Sequence, residues 1–256
     1  MVILDKKQKS EIVRFISERE NPDGGFGIVP IIPPDLEDTF YALQTLRDLD
    51  SNSISDKTKQ YLLKTAVHGP TDSFRISYHL AKLFSDYNLG VLPESWLSKP
   101  APQPQRTIEL YYYILFTELV DKKIELDSKG VNFLTSQTPE SLEFLPEVSR
   151  YVLLMDRLGL SIESLRFITW VQATQWFDGG FGPIRNTTTF LEYTYDALRA
   201  LLALNAKPLD AEKCREFISR CYINKDGGFG RQSRTVPVPQ YTYYAVKSLQ
   251  ALQSMI

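Results

Sequence analysis

Apolar positions along this chain recur with the three-and-four spacing of helices, and glycine and proline break the recurrence at regular points. Over residues 6–19, Ile12, Phe15 and Ile16 share one face. Asn21-Pro22-Asp23-Gly24-Gly25 ends that pattern, and Pro30, Pro33 and Pro34 keep the next stretch extended. A second helix over 35–49 carries Phe40, Leu43, Leu46 and Leu49. The last third repeats this order twice, with helices over 162–174 and 191–204, then 210–223 and 239–253. Between them the pattern predicts helices over 55–67 and 73–87, a short one over 92–97 before Pro100, Pro102 and Pro104, a strongly apolar one over 107–120, and a pair over 127–136 and 146–158. That makes twelve helical segments in six pairs, the third pair having a shortened first member.

The breaks are themselves a repeat. Asp-Gly-Gly-Phe-Gly occurs at residues 23–27, 178–182 and 226–230 and holds nine of the 13 glycines. Twelve residues after each last glycine stands a threonine: Thr39, Thr194 and Thr242. An aromatic follows (Phe40, Tyr195, Tyr243), then Ala42, Ala197 and Ala245, then Leu46, Leu201 and Leu249. Register held this long marks copies of one helix–turn–helix unit. The spacing makes each glycine turn the hinge of a helical hairpin. Stacked hairpins must cap their ends or close on themselves. With no polar capping repeat, the expectation is an all-α, single-domain (α/α)6 toroid over residues 1–256, sharp at 6–49, 162–204 and 210–253 and degenerate over 51–159. The first helix of each pair is outer and the second inner. The run Ile108–Phe116 is apolar nearly all round, as a helix buried on both sides must be.

Composition narrows the function. Twenty-nine basic residues against 31 acidic ones, with a net charge of −2, exclude the electrostatic footprint of nucleic-acid binding. No apolar run is long enough to span a membrane. Cys214 and Cys221 read as buried thiols rather than a disulfide framework. The expected location is cytoplasmic, with peripheral membrane contact left open.

The turn and its register resemble the repeat of protein prenyltransferase β-subunits, which is related to that of terpene cyclases. The resemblance implies an α/α toroid whose central cavity holds an isoprenoid. The zinc ligands of the prenyltransferases would fall on Glu192, Thr194 and Tyr241, so zinc is not expected; magnesium enters only with a diphosphate substrate. Class II terpene cyclases carry an acidic Asp-x-Asp-Asp-Thr motif at an inner-helix start. Asp35-Leu36-Glu37-Asp38-Thr39 is similar, with Glu37 at the acid position. On that likeness Glu37 is the proton donor, with Asp35 and Asp38 crowding it so that it stays protonated. The same residues also read as a plain helix start, with Asp35 as N-cap and two acids in the first turn. Tyr193 and Tyr241 stand at the Asp38 position of the other copies, so the repeat itself does not demand acidity there.

Tyr41, Tyr78, Tyr112, Tyr151, Tyr195, Tyr241 and Tyr244 sit near inner-helix starts, as a cavity wall able to stabilise carbocations or as packing between layers. Arg75, Arg106, Arg150 and Arg185 lie near the same places, as a diphosphate receptor or as surface ion pairs. The leading expectation is proton-initiated cyclisation of a linear prenyl substrate. The alternatives are a prenyltransferase-like chain working with a helical partner subunit, and a non-catalytic toroid that binds a lipid or protein. The cyclase likeness also allows a second toroid domain as partner.

Overall fold

The structure, a computed structural model, describes residues 4–29, 31–98, 100–102, 107–124, 126 and 128–255. Among them are thirteen helices in hairpin order: α1 (Lys6–Ser17) with α2 (Leu36–Asp48), α3 (Asp56–Val67) with α4 (Phe74–Asp86), and α5 (Glu94–Leu97) with α6 (Thr107–Leu119). Then follow α7 (Ser128–Ser136), α8 (Pro139–Leu142) and α9 (Leu145–Arg157), and the pairs α10 (Ser164–Ala173) with α11 (Leu191–Ala203) and α12 (Ala211–Arg220) with α13 (Pro239–Ser254). The six expected pairs are present; α8 is an addition. The helix expected to reach residue 223 stops earlier, because β1 (Tyr222–Ile223) turns back to pair antiparallel with β2 (Gly228–Phe229).

Residues 13–131 form one compact unit, and residues 4–12 with 132–255 form another. In the first, α2, α4 and α6 pack in succession, with α3 against α4. Leu110 to Thr117 of α6 are all buried, so the helix that reads as apolar all round is enclosed all round. The four-residue α5 stands in for a full outer helix through one side chain. Trp96 is fully buried and donates its indole N–H to the Ala66 carbonyl at 2.8 Å. In the second unit α9, α11 and α13 pack in succession, with α10 and α12 outside them.

The threonine of the repeat explains the register. Thr39, Thr194 and Thr242 are fully buried, and each hydroxyl accepts the N–H of the turn phenylalanine: Phe26 at 2.9 Å, Phe181 at 3.1 Å and Phe229 at 3.1 Å. Each hydroxyl also donates to a carbonyl one turn back, at Asp35, Phe190 and Val238. The turn is thereby bolted to its inner helix. Its first glycine faces the next hairpin. Gly24 and Gly179 have φ of +89° and +92°, and a Cβ there would lie 2.2 and 2.1 Å from the carbonyl oxygens of Lys57 on α3 and Lys213 on α12. The last turn applies the same rule to the first helix: Gly227 packs on the Glu11 carbonyl, and Tyr222 donates to the Glu11 carboxylate at 2.6 Å.

A second repeated device survives where the pentapeptide is absent. After α2, α4, α6, α9 and α11 come Asp50, Asn88, Asp121, Gly159 and Asn205, all at positive φ. Behind each a six-to-one backbone bond closes the helix: Ser51 to Leu46, Leu89 to Phe84, Lys122 to Thr117, Leu160 to Met155 and Ala206 to Leu201, at 2.8 to 3.0 Å. The stretch 51–159 is therefore degenerate in its turns and regular in its helix ends.

Candidate functional site

The first inner helix begins with three carboxylates, each held differently. Asp35 is the N-cap, in extended backbone, and accepts the Asp38 N–H at 2.7 Å. Glu37 Oε1 lies 2.9 Å from Arg75 Nη2 on α4, without an aligned hydrogen bond. Asp38 is half-buried and, among the described residues, has no ion-pair partner. Burial first, then the Asp35 and Glu37 charges, push its carboxyl up to about 6. Burial also raises Glu37, but Arg75 opposes the shift. The thiols of Cys214 and Cys221 are both raised by burial.

Sequence reading passed over Tyr61 on α3, whose ring rests where a Cβ on Gly25 would be, at 2.8 Å. Its phenol donates to the carbonyl of Pro34, next to Asp35 in the chain, at 3.4 Å, and is raised by burial, with the Asp35 and Asp38 charges adding to the rise.

Below the carboxylates runs a continuous aromatic group. Phe40 touches Tyr41 at 5.6 Å and Tyr78 at 6.0 Å between ring centroids, and Tyr78 touches Tyr112 at 5.8 Å. His79 lies within it, stacked on Phe40 at 3.9 Å. It is 2% exposed, its Nδ1 has no hydrogen-bond partner among the described residues, and burial followed by the Arg75 charge holds it neutral, well below the usual histidine value. The structure thus brings Tyr41, Tyr78 and Tyr112 together around a histidine that no sequence pattern singles out. Its one signal was the four-residue spacing from Arg75.

The corresponding helix start of the second copy has another character. Glu192 occupies the Glu37 position and is bound by Arg231, with Nε 2.6 Å from Oε1. That guanidinium also lies 3.7 Å over the Phe190 ring. Tyr193 stands where Asp38 does, and Phe190 where Asp35 does. Tyr195 stacks on Tyr244 at 4.7 Å, with Tyr241 at 6.4 Å from Tyr244.

Several expected site residues are placed elsewhere. Tyr151 is turned outward: its hydroxyl donates to the Leu134 carbonyl at 2.7 Å and its ring stacks on Phe167 of α10, so it packs layers together. Arg150 lies mid-helix and makes a nearly buried ion pair with Asp196. Arg75 is engaged by Glu37. Arg185 lines an outer groove beside α10. Arg106 lies outside the described residues.

The sequence model of the prenyltransferase alpha-alpha toroid domain matches residues 1–82 and 149–255, which is most of the chain. The chain belongs to that family. Its fold is accordingly the all-α toroid. The solved structures it resembles include Candida albicans protein geranylgeranyltransferase-I complexed with GGPP, with 11% identity and a TM-score of 0.43 over 95% of this chain and 90% of that one. No curated protein sequence matches.

The zinc implied by the prenyltransferase likeness does not fit the residues at its positions. Glu192 is bound to Arg231, the Thr194 hydroxyl is spent on Phe181 and Phe190, and burial raises the Tyr241 phenol. None offers the thiolate or imidazole that zinc favours. Among the described residues no helix is long and apolar enough to cross a membrane.

Proposed function

We propose that this toroid acts on a linear isoprenoid and that its reaction opens with a proton passing from Asp38 to a carbon–carbon double bond. Asp38 carries the reading: it is half-buried, free of a cation partner among the described residues, and protonated up to about pH 6. A general acid needs its pKa near the working pH, and crowded carboxylates at an apolar wall supply that shift. Asp35 orients the helix start, and Glu37 adds charge while Arg75 steadies it. The proposed donor is therefore Asp38, not Glu37, since Glu192 repeats the Glu37 arrangement with a cation of its own.

In the proposed step the Asp38 O–H bond breaks and a C–H bond forms at one alkene carbon. The cation left on the neighbouring carbon is attacked by a second double bond of the same chain, which forms the ring bond. Loss of a C–H proton to solvent water restores an alkene, and Asp38 regains its proton from solvent, so the net reaction is an isomerisation. The faces of Tyr41, Tyr78 and Tyr112 supply negative potential to the travelling cation.

The test is product analysis by mass spectrometry after incubation with linear prenyl diphosphates of increasing length. The expected result is a cyclic isomer, with turnover falling as pH rises above about 6. Asp38→Asn should lower turnover by about 10² to 10⁴-fold, while Glu37→Gln retains most of it. Full activity in Asp38→Asn would overturn the assignment. Prenylation of a thiol peptide in place of cyclisation would move the protein to the transferase reading.

A further inference from the structure

The outward faces of the outer helices are not alike. α1 shows solvent Lys6, Lys7, Lys9 and Arg14, and α12 shows Glu212, Lys213 and Glu216. α10 shows Leu165, 78% exposed, with Thr169, Trp170 and Ala173. These residues line a groove of about 1040 Å³, with Glu143, Ile184 and Arg185 also lining it. Phe144, half exposed, lies next to Glu143 in the chain.

Two segments carry Glu143 and Arg185, and one hydrogen bond joins them, from the Leu145 N–H to the Pro183 carbonyl at 2.8 Å. Glu143 is held in a tight turn at φ +62°, closed by the Phe144 N–H on the Leu142 carbonyl at 2.7 Å. Such a turn is rare and strained. The groove's other charges are matched internally: Arg166 lies 2.8 Å from Glu140 and 3.5 Å from Glu163. Among the described residues neither Glu143 nor Arg185 has an ion-pair partner.

We propose that this groove is a self-association face and that its occupant is a second copy of this chain. A two-fold interface must be its own complement, each residue meeting on the partner what the partner meets in return. One unmatched carboxylate and one unmatched guanidinium on adjoining segments satisfy that condition. A two-fold axis near the Leu145–Pro183 bond sets Glu143 of each copy against Arg185 of the other, around an apolar centre of Leu165, Trp170 and Ile184. A basic helix would answer Glu143 and leave Arg185. An anionic lipid surface would answer Arg185 and be repelled by Glu140, Glu143 and Glu163.

The test is the mass of the full chain in solution across a concentration series, by sedimentation velocity and light scattering. The expected result is a dimer. Leu165→Glu should be monomeric with unchanged circular dichroism, since Leu165 is exposed in the single chain. Glu143→Arg should weaken association by about tenfold or more, and adding Arg185→Glu should restore it. A wild-type monomer at every soluble concentration overturns the proposal. So does a dimer indifferent to Leu165→Glu, a charge swap that restores nothing, or a monomer whose groove binds vesicles or a helical partner.

Discussion

The first and second glycine-turn copies share one scaffold and differ where chemistry would be done. In both, a buried threonine ties the turn to the inner helix, and a glutamate two residues earlier meets an arginine from the next hairpin, Arg75 or Arg231. In both, the second glycine makes room for a ring from the next outer helix. That ring is Tyr61 in the first copy and Phe217 in the second. The first copy has Asp35, Asp38 and Tyr61 at the positions the second fills with Phe190, Tyr193 and Phe217. What both copies keep is architecture. Of the polar groups confined to the first copy, Asp35 serves as the helix cap, and Asp38 is the one the scaffold does not explain.

The shared scaffold can be broken hardest at the glycines. Gly24→Ala and Gly179→Ala each force a Cβ into a backbone carbonyl at positive φ, so each should cost about 4 kcal/mol or prevent folding. Gly69→Ala, at φ +88° but in open space, should cost about 1 kcal/mol. Urea denaturation compares the three, and a cheap Gly24→Ala would mean that the turn does not seat on α3.

Next in size come the threonines. Thr39→Val and Thr194→Val each leave a buried phenylalanine N–H unsatisfied and should cost about 1–3 kcal/mol, in equal measure. If Thr39→Val abolished activity while stability stayed intact, Thr39 would belong to the chemistry. Smaller again, Glu192→Gln should cost up to about 1 kcal/mol in thermal unfolding at low salt, and less as salt rises, whereas Glu37→Gln should cost nothing at neutral pH, because burial raises the Glu37 carboxyl in spite of Arg75. Glu192 should lose more, because it is hydrogen-bonded by Arg231 and Glu37 is not.

These comparisons show what a sequence can carry. Hairpin order and register were readable because apolar spacing and glycine chemistry are local. The Asp35 cap was readable for the same reason. The residues after the inner helices, Asp50, Asn88, Asp121, Gly159 and Asn205, also formed a readable pattern, hidden because several residue types satisfy one left-handed cap. Partners were not readable. Arg150 looked like an anion receptor until the fold set Asp196 against it, and Tyr151 looked like a cavity residue until its hydroxyl met Leu134. Which carboxylate stays protonated depends on burial and on where Arg75 lands, and both belong to tertiary structure.

The smallest effect tests the difference between the copies most directly. Asp38 has a folded value of about 6 against an ordinary 3.8, so its contribution to stability is fully present below about pH 4 and is lost as pH rises through about 6. At neutral pH the ionised group therefore works against the fold, by about 1 kcal/mol once its exposed part is discounted for solvent screening. Asp38→Asn should be more stable than the parent by that amount at neutral pH, and the gain should vanish below about pH 4. Tyr193→Phe, at the same register of the second copy, should show no such pH-dependent gain. If Asp38→Asn gained nothing at neutral pH, the carboxylate would be as well solvated as any surface acid. It would then hold no proton for an alkene, and the first copy would differ from the second only in its helix cap.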